Sequence, residues 1–155
     1  MKPDRDSAQI KFPPPLMLLC SVVAGGLLEQ VFRLELHDLQ VVRILGGSMI
    51  GCAVVVLLYC VYKFRIAKTG IKPWTTTTSI IQDGIYRFSR NPIYLSFVMI
   101  GVGIGFAAAS GWILLMQVPL VLALRMFVVE KEENYLTKKF GTQYLQYKKK
   151  VRRWL

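Results

Sequence analysis

Residues 91–124 read NPIYLSFVMIGVGIGFAAASGWILLMQVPLVLAL, 34 consecutive positions without an Asp, Glu, Lys or Arg. A helix or strand at the surface of a soluble domain needs a polar face, and this stretch has almost none. A hydrocarbon core about 30 Å thick takes roughly 20 apolar residues per helix. The stretch is therefore too long for one crossing and suits two short ones. Ala109, Ser110 and Gly111 offer the break, which predicts a tight helical hairpin of 93–108 and 112–129. Working outward, 44–62 is uncharged and bracketed by Arg43 and Lys63. A weaker apolar run, 16–32, follows Pro13, Pro14 and Pro15, which suit a helix start. The predicted fold class is all-α integral membrane: four transmembrane helices in one domain, 1–155, the last two forming the hairpin.

Composition agrees. The chain has 155 residues, of which 54% are hydrophobic and only 19% charged, and its mean hydropathy is +0.42. These values exclude a collagen-like chain, low-complexity disorder, a disulfide-stapled secreted module and an ordinary cytosolic enzyme. The net charge of +11 raises the question of nucleic acid, so its distribution matters. Four spans put the N-terminal tail, the 63–92 loop and the C-terminal tail on one side. Those segments hold 18 of the 20 Lys and Arg, leaving Arg33 and Arg43 near the other side. The positive-inside rule makes the basic side, and both termini, cytoplasmic. Topology explains the charge, so no nucleic-acid partner is expected. The bacterial inner membrane and the endoplasmic reticulum fit the bias equally. No cleavable signal peptide or lipidation motif is expected. Cys20, Cys52 and Cys60 fall within spans and read as packing residues. The lone His37, beside Glu35 and Asp38, supplies too few ligands for a metal, so none is expected.

Polar chemistry gathers in 83–94, which contains Asp83, Tyr86, Arg87, Arg90, Asn91, Pro92 and Tyr94, and in 125–147, with Arg125 and Glu130 to Glu133. A hairpin turning near 109–110 sets Ile93 level with Met126 and Arg87 level with Glu132. The two segments therefore meet. Convergent Arg, Asn, Tyr and Glu can hold a zwitterionic, hydroxyl-bearing ligand: Arg takes a carboxylate or phosphate, and Glu takes an ammonium or ribose hydroxyls. From the residues alone, the cluster fits a ligand site or an ordinary membrane interface equally well. Gly101 and Gly105 make a smooth helix face, and Gly101-x-Gly103 could instead admit a cofactor to the backbone. After Glu133, Leu136, Phe140, Tyr144, Tyr147 and Val151 recur at helical spacing with lysines between them. This reads as an amphipathic interfacial helix that attracts anionic lipid or covers a site, with a bend at Gly141. Lys148, Lys149 and Lys150 read as solvated charge.

Taken together, the two segments resemble a family. Gly84-Ile85-Tyr86-Arg87-Phe88-Ser89-Arg90-Asn91-Pro92-Ile93-Tyr94 is similar to the Gly-Pro-Tyr-Arg-x-x-Arg-His/Asn-Pro-x-Tyr signature of integral membrane methyltransferases. These are the isoprenylcysteine carboxyl methyltransferases and the phospholipid methyltransferases. Glu132-Glu133 followed by Phe140-Gly141-x-x-Tyr144-x-x-Tyr147 resembles the same family's tail. Ile85, Asn91 and Ser96 stand where many members carry Pro, His and Gly. The resemblance implies S-adenosylmethionine held at the cytoplasmic surface by 83–94 and 125–147. It places Tyr86, Arg87, Arg90, Asn91, Pro92, Tyr94, Gly101, Gly103, Glu132 and Glu133 around the cofactor, with Arg90, Tyr94 and Glu132 in the catalytic role. It also implies a lipophilic methyl acceptor (a prenylcysteine-like carboxylate, a lipid amine or a small thiol) entering sideways from the bilayer. Two other readings compete. One is an NADPH-dependent membrane reductase of the sterol reductase type. The other is a non-enzymatic four-span transporter or adaptor, with Glu29 as its intramembrane carboxylate.

Overall fold

A computed structural model of the chain describes residues 8, 10, 12–34, 36, 40–70 and 77–154. Lys2, Arg5, Lys11 and Lys72, which enter the charge bias, lie outside the described residues, as do Glu35, His37 and Asp38. Helix α1, Pro14–Val31, begins on prolines whose missing N–H groups would be unpaired there anyway. Helix α2 is Gln40–Ile66, and a short 3-10 turn, Gly84–Arg87, precedes α3, Pro92–Ala107. Helix α4 runs over Gly111–Phe140 and carries a π-helical turn at Arg125–Val129. Helix α5 is Thr142–Lys150.

Three of these helices, α1, α2 and α4, are long and apolar enough to cross a membrane. The fourth apolar helix, α3, has 16 residues, about 24 Å at the helical rise. The sequence reading counted it as an equal span. The outer faces of α1 and α2 expose Leu16, Leu19, Val23, Leu27, Val55, Leu58 and Ile66. A contiguous apolar surface of this kind suits lipid, so the protein belongs in a membrane.

The hairpin turn falls at Ala108 to Ser110, as its small residues suggest. Glu29 sits beside that turn and accepts hydrogen bonds from the Leu34 N–H (2.6 Å), the Ser110 hydroxyl and the Trp112 N–H. The carboxylate proposed for a transporter thus ties the end of α1 to the hairpin. The Leu36 N–H donates to the Ala109 carbonyl (2.9 Å) and the Gly111 N–H to the Leu34 carbonyl (2.8 Å), which completes this knot. At the opposite end of the bundle, Ile10, Tyr94, Leu120, Leu124 and Val128 form a buried cluster against which Trp154 packs. The chain's N-terminal segment and its tail therefore meet at one end.

Helix α3 packs along α2 through facing glycines. A Cβ on Gly46 would come within 2.5 Å of the Ala107 N and 2.6 Å of the Gly103 O, both backbone atoms that cannot step aside. A Cβ on Gly103 would meet Ile50 and the Gly46 carbonyl. Gly47, one residue along, has nothing within 4 Å. Gly46→Ala should therefore lose about 1–3 kcal/mol, seen as a lower unfolding temperature in detergent. Gly47→Ala should leave that temperature unchanged, and equal effects would contradict this packing.

Candidate active site

Two glycines shape the approach to the site. Gly84 has φ +59, a conformation that side chains other than Gly rarely adopt, and the Tyr59 hydroxyl occupies the place of its missing Cβ. The turn it permits feeds Ser89, Arg90 and Asn91 inward at the start of α3. Gly141, with φ +52, ends α4 and folds α5 back beneath it. The apolar face that the sequence reading assigned to a lipid-facing or site-covering helix consequently turns inward. Tyr144 and Tyr147 are buried, and the Tyr147 hydroxyl donates to the Tyr86 carbonyl at 2.7 Å.

Between these elements lies a cleft with about 100 Å³ of enclosed volume, or about 830 Å³ measured out to its open mouth. Tyr86, Arg90, Asn91, Pro92, Tyr94, Glu132 and Glu133 line it, so seven of the ten residues singled out from the sequence come together. Arg87 is exposed and points elsewhere. Gly101 and Gly103 lie deeper in α3. The place of a Gly101 side chain is filled by Gln117 of α4, and Gly103 meets α2. In this structure both are helix-packing positions.

The register across the hairpin differs from expectation by a few residues. Arg90, not Arg87, faces the carboxylates: its Nη2 lies 3.1 Å from Glu133 Oε1. The Tyr94 hydroxyl donates to Glu132 Oε1 at 2.7 Å. Helix α3 begins only at Pro92, after a 3-10 turn, so Arg87 and Arg90 do not follow the helical rise that the level argument assumed, and the π-helical turn at Arg125–Val129 adds a smaller offset in α4.

The two adjacent carboxylates have different tasks. Glu133 is buried, and both its oxygens are engaged. Arg153 Nε and Nη2 reach them at 3.0 and 2.9 Å as a fork, Arg90 takes Oε1, and Lys148 approaches Oε2 at 3.4 Å. Burial pushes its carboxyl upward, but the hydrogen bond from Arg153 and the charges of Arg90, Arg153 and Lys148 prevail and hold it below the ordinary value. Glu132 lies beyond Val129, where the apolar part of α4 ends, and has no cation as a partner among the described residues. Burial pushes its carboxyl up to about 7, a rise that the Tyr94 hydrogen bond opposes and the neighbouring Glu133 assists. Burial also raises the Tyr86 phenol, and pushes the Tyr144 phenol up to about 12.

Several donors in the cleft have no acceptor among the described residues. Arg90 Nε and Nη1 and the Ser79 hydroxyl are buried in this way, whereas the Tyr86 hydroxyl has the Cys60 thiol beside it. Buried polar groups are rarely left so, and a cluster of them facing one cleft marks where an acceptor-rich ligand would sit. Ile80, Ile81 and Leu136 supply apolar wall, and the Tyr135 hydroxyl, accepting from the Thr77 N–H at 3.2 Å, pins the loop that carries the first two. Sequence reasoning missed the 77–81 segment, which carries no motif. It also missed Arg153, which it counted only as tail charge. The bend at Gly141 was the available signal that this tail returns to Glu133.

A family model for phospholipid methyltransferase matches residues 41–143, from the start of α2 to the start of α5. An uncharacterized protein of Haemophilus influenzae is 51% identical over 35 residues, which is 23% of this chain and 56% of that protein. The protein-S-isoprenylcysteine O-methyltransferase of Saccharomyces cerevisiae is 36% identical over 80 residues, 46% of this chain and 30% of that enzyme. The chain thus matches about half the length of the first relative and under a third of the second. No solved structure matches it. The family match encloses the cleft residues from Tyr86 to Leu136, and by it this chain belongs to the phospholipid methyltransferase family.

Proposed function

We propose that the protein is an S-adenosylmethionine-dependent methyltransferase acting on a lipophilic acceptor at the cytoplasmic membrane surface. On this reading α3 is the fourth crossing, antiparallel to α4, and both termini are cytoplasmic. One observation carries the proposal: a buried arginine, Arg90, keeps Nε and Nη1 without an acceptor among the described residues, in a cleft that it shares with Glu132. That donor set suits the cofactor's amino-acid carboxylate, while Glu132 can accept from its ammonium or ribose hydroxyls. The open mouth of the cleft accommodates the remainder.

The cofactor, when bound, supplies an electrophilic methyl group on a sulfonium sulfur. The chain's own contribution is to align the acceptor and exclude water, since in-line displacement gains most from orientation. A carboxylate or thiolate acceptor needs no base. An amine acceptor must lose a proton, and Glu132, with its carboxyl near 7 and Tyr94 on one oxygen, is placed to receive it.

Calorimetric titration of the detergent-purified protein with S-adenosylhomocysteine should show saturable binding, and NADPH should show none. Arg90→Ala and Glu132→Gln should each weaken that binding by roughly a hundredfold or more while leaving a folded protein. Binding of NADPH alone would move the protein to the reductase reading, and unchanged affinity in both variants would remove these residues from the site.

Stability should also report on Glu132. A carboxyl raised to about 7 in the folded chain favours folding most below the ordinary carboxylate range, and loses that contribution as pH rises through 7. Glu132→Gln cannot ionise. Its unfolding temperature relative to the parent should therefore climb between about pH 5 and about pH 8, and a constant difference would show that Glu132 titrates normally.

A further inference from the structure

The C-terminal segment after α5 packs against the residues that lead into α3. The Arg90 N–H donates to the Arg152 carbonyl at 3.0 Å, and Asn91 Nδ2 donates to the Arg153 carbonyl, also at 3.0 Å. The Ser89 hydroxyl reaches the same Arg153 carbonyl at 3.4 Å. Beyond them, Trp154 packs on the buried cluster that contains Tyr94 and Val128. The tail backbone is therefore paired to the three residues that open α3, and the Arg153 side chain reaches past them to Glu133.

We propose that Arg153 is a positioning residue of the active site: by holding both oxygens of Glu133 in a fork, it keeps Arg90 turned into the cleft with donors free for ligand. This rests on the cofactor reading above. The logic is one of competition for a carboxylate. Three cations face Glu133, namely Arg90, Arg153 and Lys148. Only Arg153 takes both oxygens, so Arg90 is left a single contact with Glu133, through Nη2, while Nε and Nη1 find no acceptor among the described residues. Without Arg153, Glu133 can turn and take Arg90 as a fork of its own, which withdraws those donors from the cleft. Lys148 is a poor substitute. Its side chain is 43% exposed and its single ammonium lies 3.4 Å away, so it can balance charge without fixing the plane of the carboxylate. A tail that served only to cover the site would act through its carbonyls and Trp154, and the Arg153 head group would be dispensable.

The test is a double-variant cycle read by S-adenosylhomocysteine calorimetry, with unfolding temperature as the control for folding. Arg153→Ala should weaken binding roughly ten- to a hundredfold, and Arg153→Lys should fall between it and the parent. In a Glu133→Gln background, Arg153→Ala should add little further loss, because Arg153 then has no carboxylate to hold. Hydrogen exchange at the Arg90 amide should stay slow in Arg153→Ala, which shows that the tail is still seated. Once an acceptor is found, the same variant should raise the cofactor KM and leave kcat near the parental value. Parental binding with an unchanged Arg153→Ala overturns this inference and leaves the cofactor reading intact. Losses that add in the double variant, or a freely exchanging Arg90 amide, assign Arg153 to tail docking and also overturn it. A parent that binds no S-adenosylhomocysteine overturns the cofactor reading and this inference with it.

Discussion

A single buried carboxylate organises the end of the bundle where the cleft lies. Glu133 is 3% exposed, and a charge that far from water persists only when it is paired and hydrogen-bonded. Its partners come from two separated parts of the chain: Arg90 from the start of α3, and Lys148 and Arg153 from α5 and the tail. Satisfying one side chain thus obliges the α3 entry and the C-terminal tail to converge on α4. Among the described residues the neighbouring Glu132 has no such partners and meets a tyrosine hydroxyl instead, which is why two adjacent glutamates differ in character. One is fixed as structure. The other is left near neutrality and open to the cleft.

That convergence depends on distances set deeper in the membrane. The glycine contact between Gly46 and Gly103 brings α2 and α3 to backbone separation, and the Glu29 knot fixes the far end of the hairpin. With both fixed, the π-helical turn at Arg125–Val129 offsets the carboxylates that follow it in α4. An uninterrupted α-helix would present a different side chain to Tyr94. π-turns cost regular hydrogen bonding and tend to persist where a site needs the offset.

Most of the architecture was legible because it follows from hydropathy and small residues. The uncharged run of 91–124 gave the hairpin, Ala109 and Gly111 its turn, and Gly141 the bend. Proximity of the basic segment to the glutamates followed from the hairpin alone. The exact pairing did not, because the segment before Pro92 is not helical and carries Arg87 and Arg90 off the helical rise, and a π-turn, which has no signature in the RMFVV sequence, offsets α4 further. Gly101 and Gly103 matched a glycine pattern that serves either packing or cofactor approach, and in the structure they serve packing. Arg153 was hidden in a basic tail, where its role depends on a three-dimensional return that spacing does not encode. The bounds of α3 were read to within one residue, 93–108 against Pro92–Ala107, because Pro92 and the small residues of the turn mark both of its ends.

The central claim is that a methyl-donor site lies between the α3 entry and the α4–α5 bend. Ultraviolet cross-linking of methyl-labelled S-adenosylmethionine, followed by peptide mapping, tests it most directly. Saturable label, displaced by S-adenosylhomocysteine, should map to peptides containing Phe64, Tyr86 and Tyr94, or Tyr135, Tyr144 and Tyr147, the aromatic residues that line the cleft. Saturable label confined to α1, or no displaceable label at all, would contradict the account.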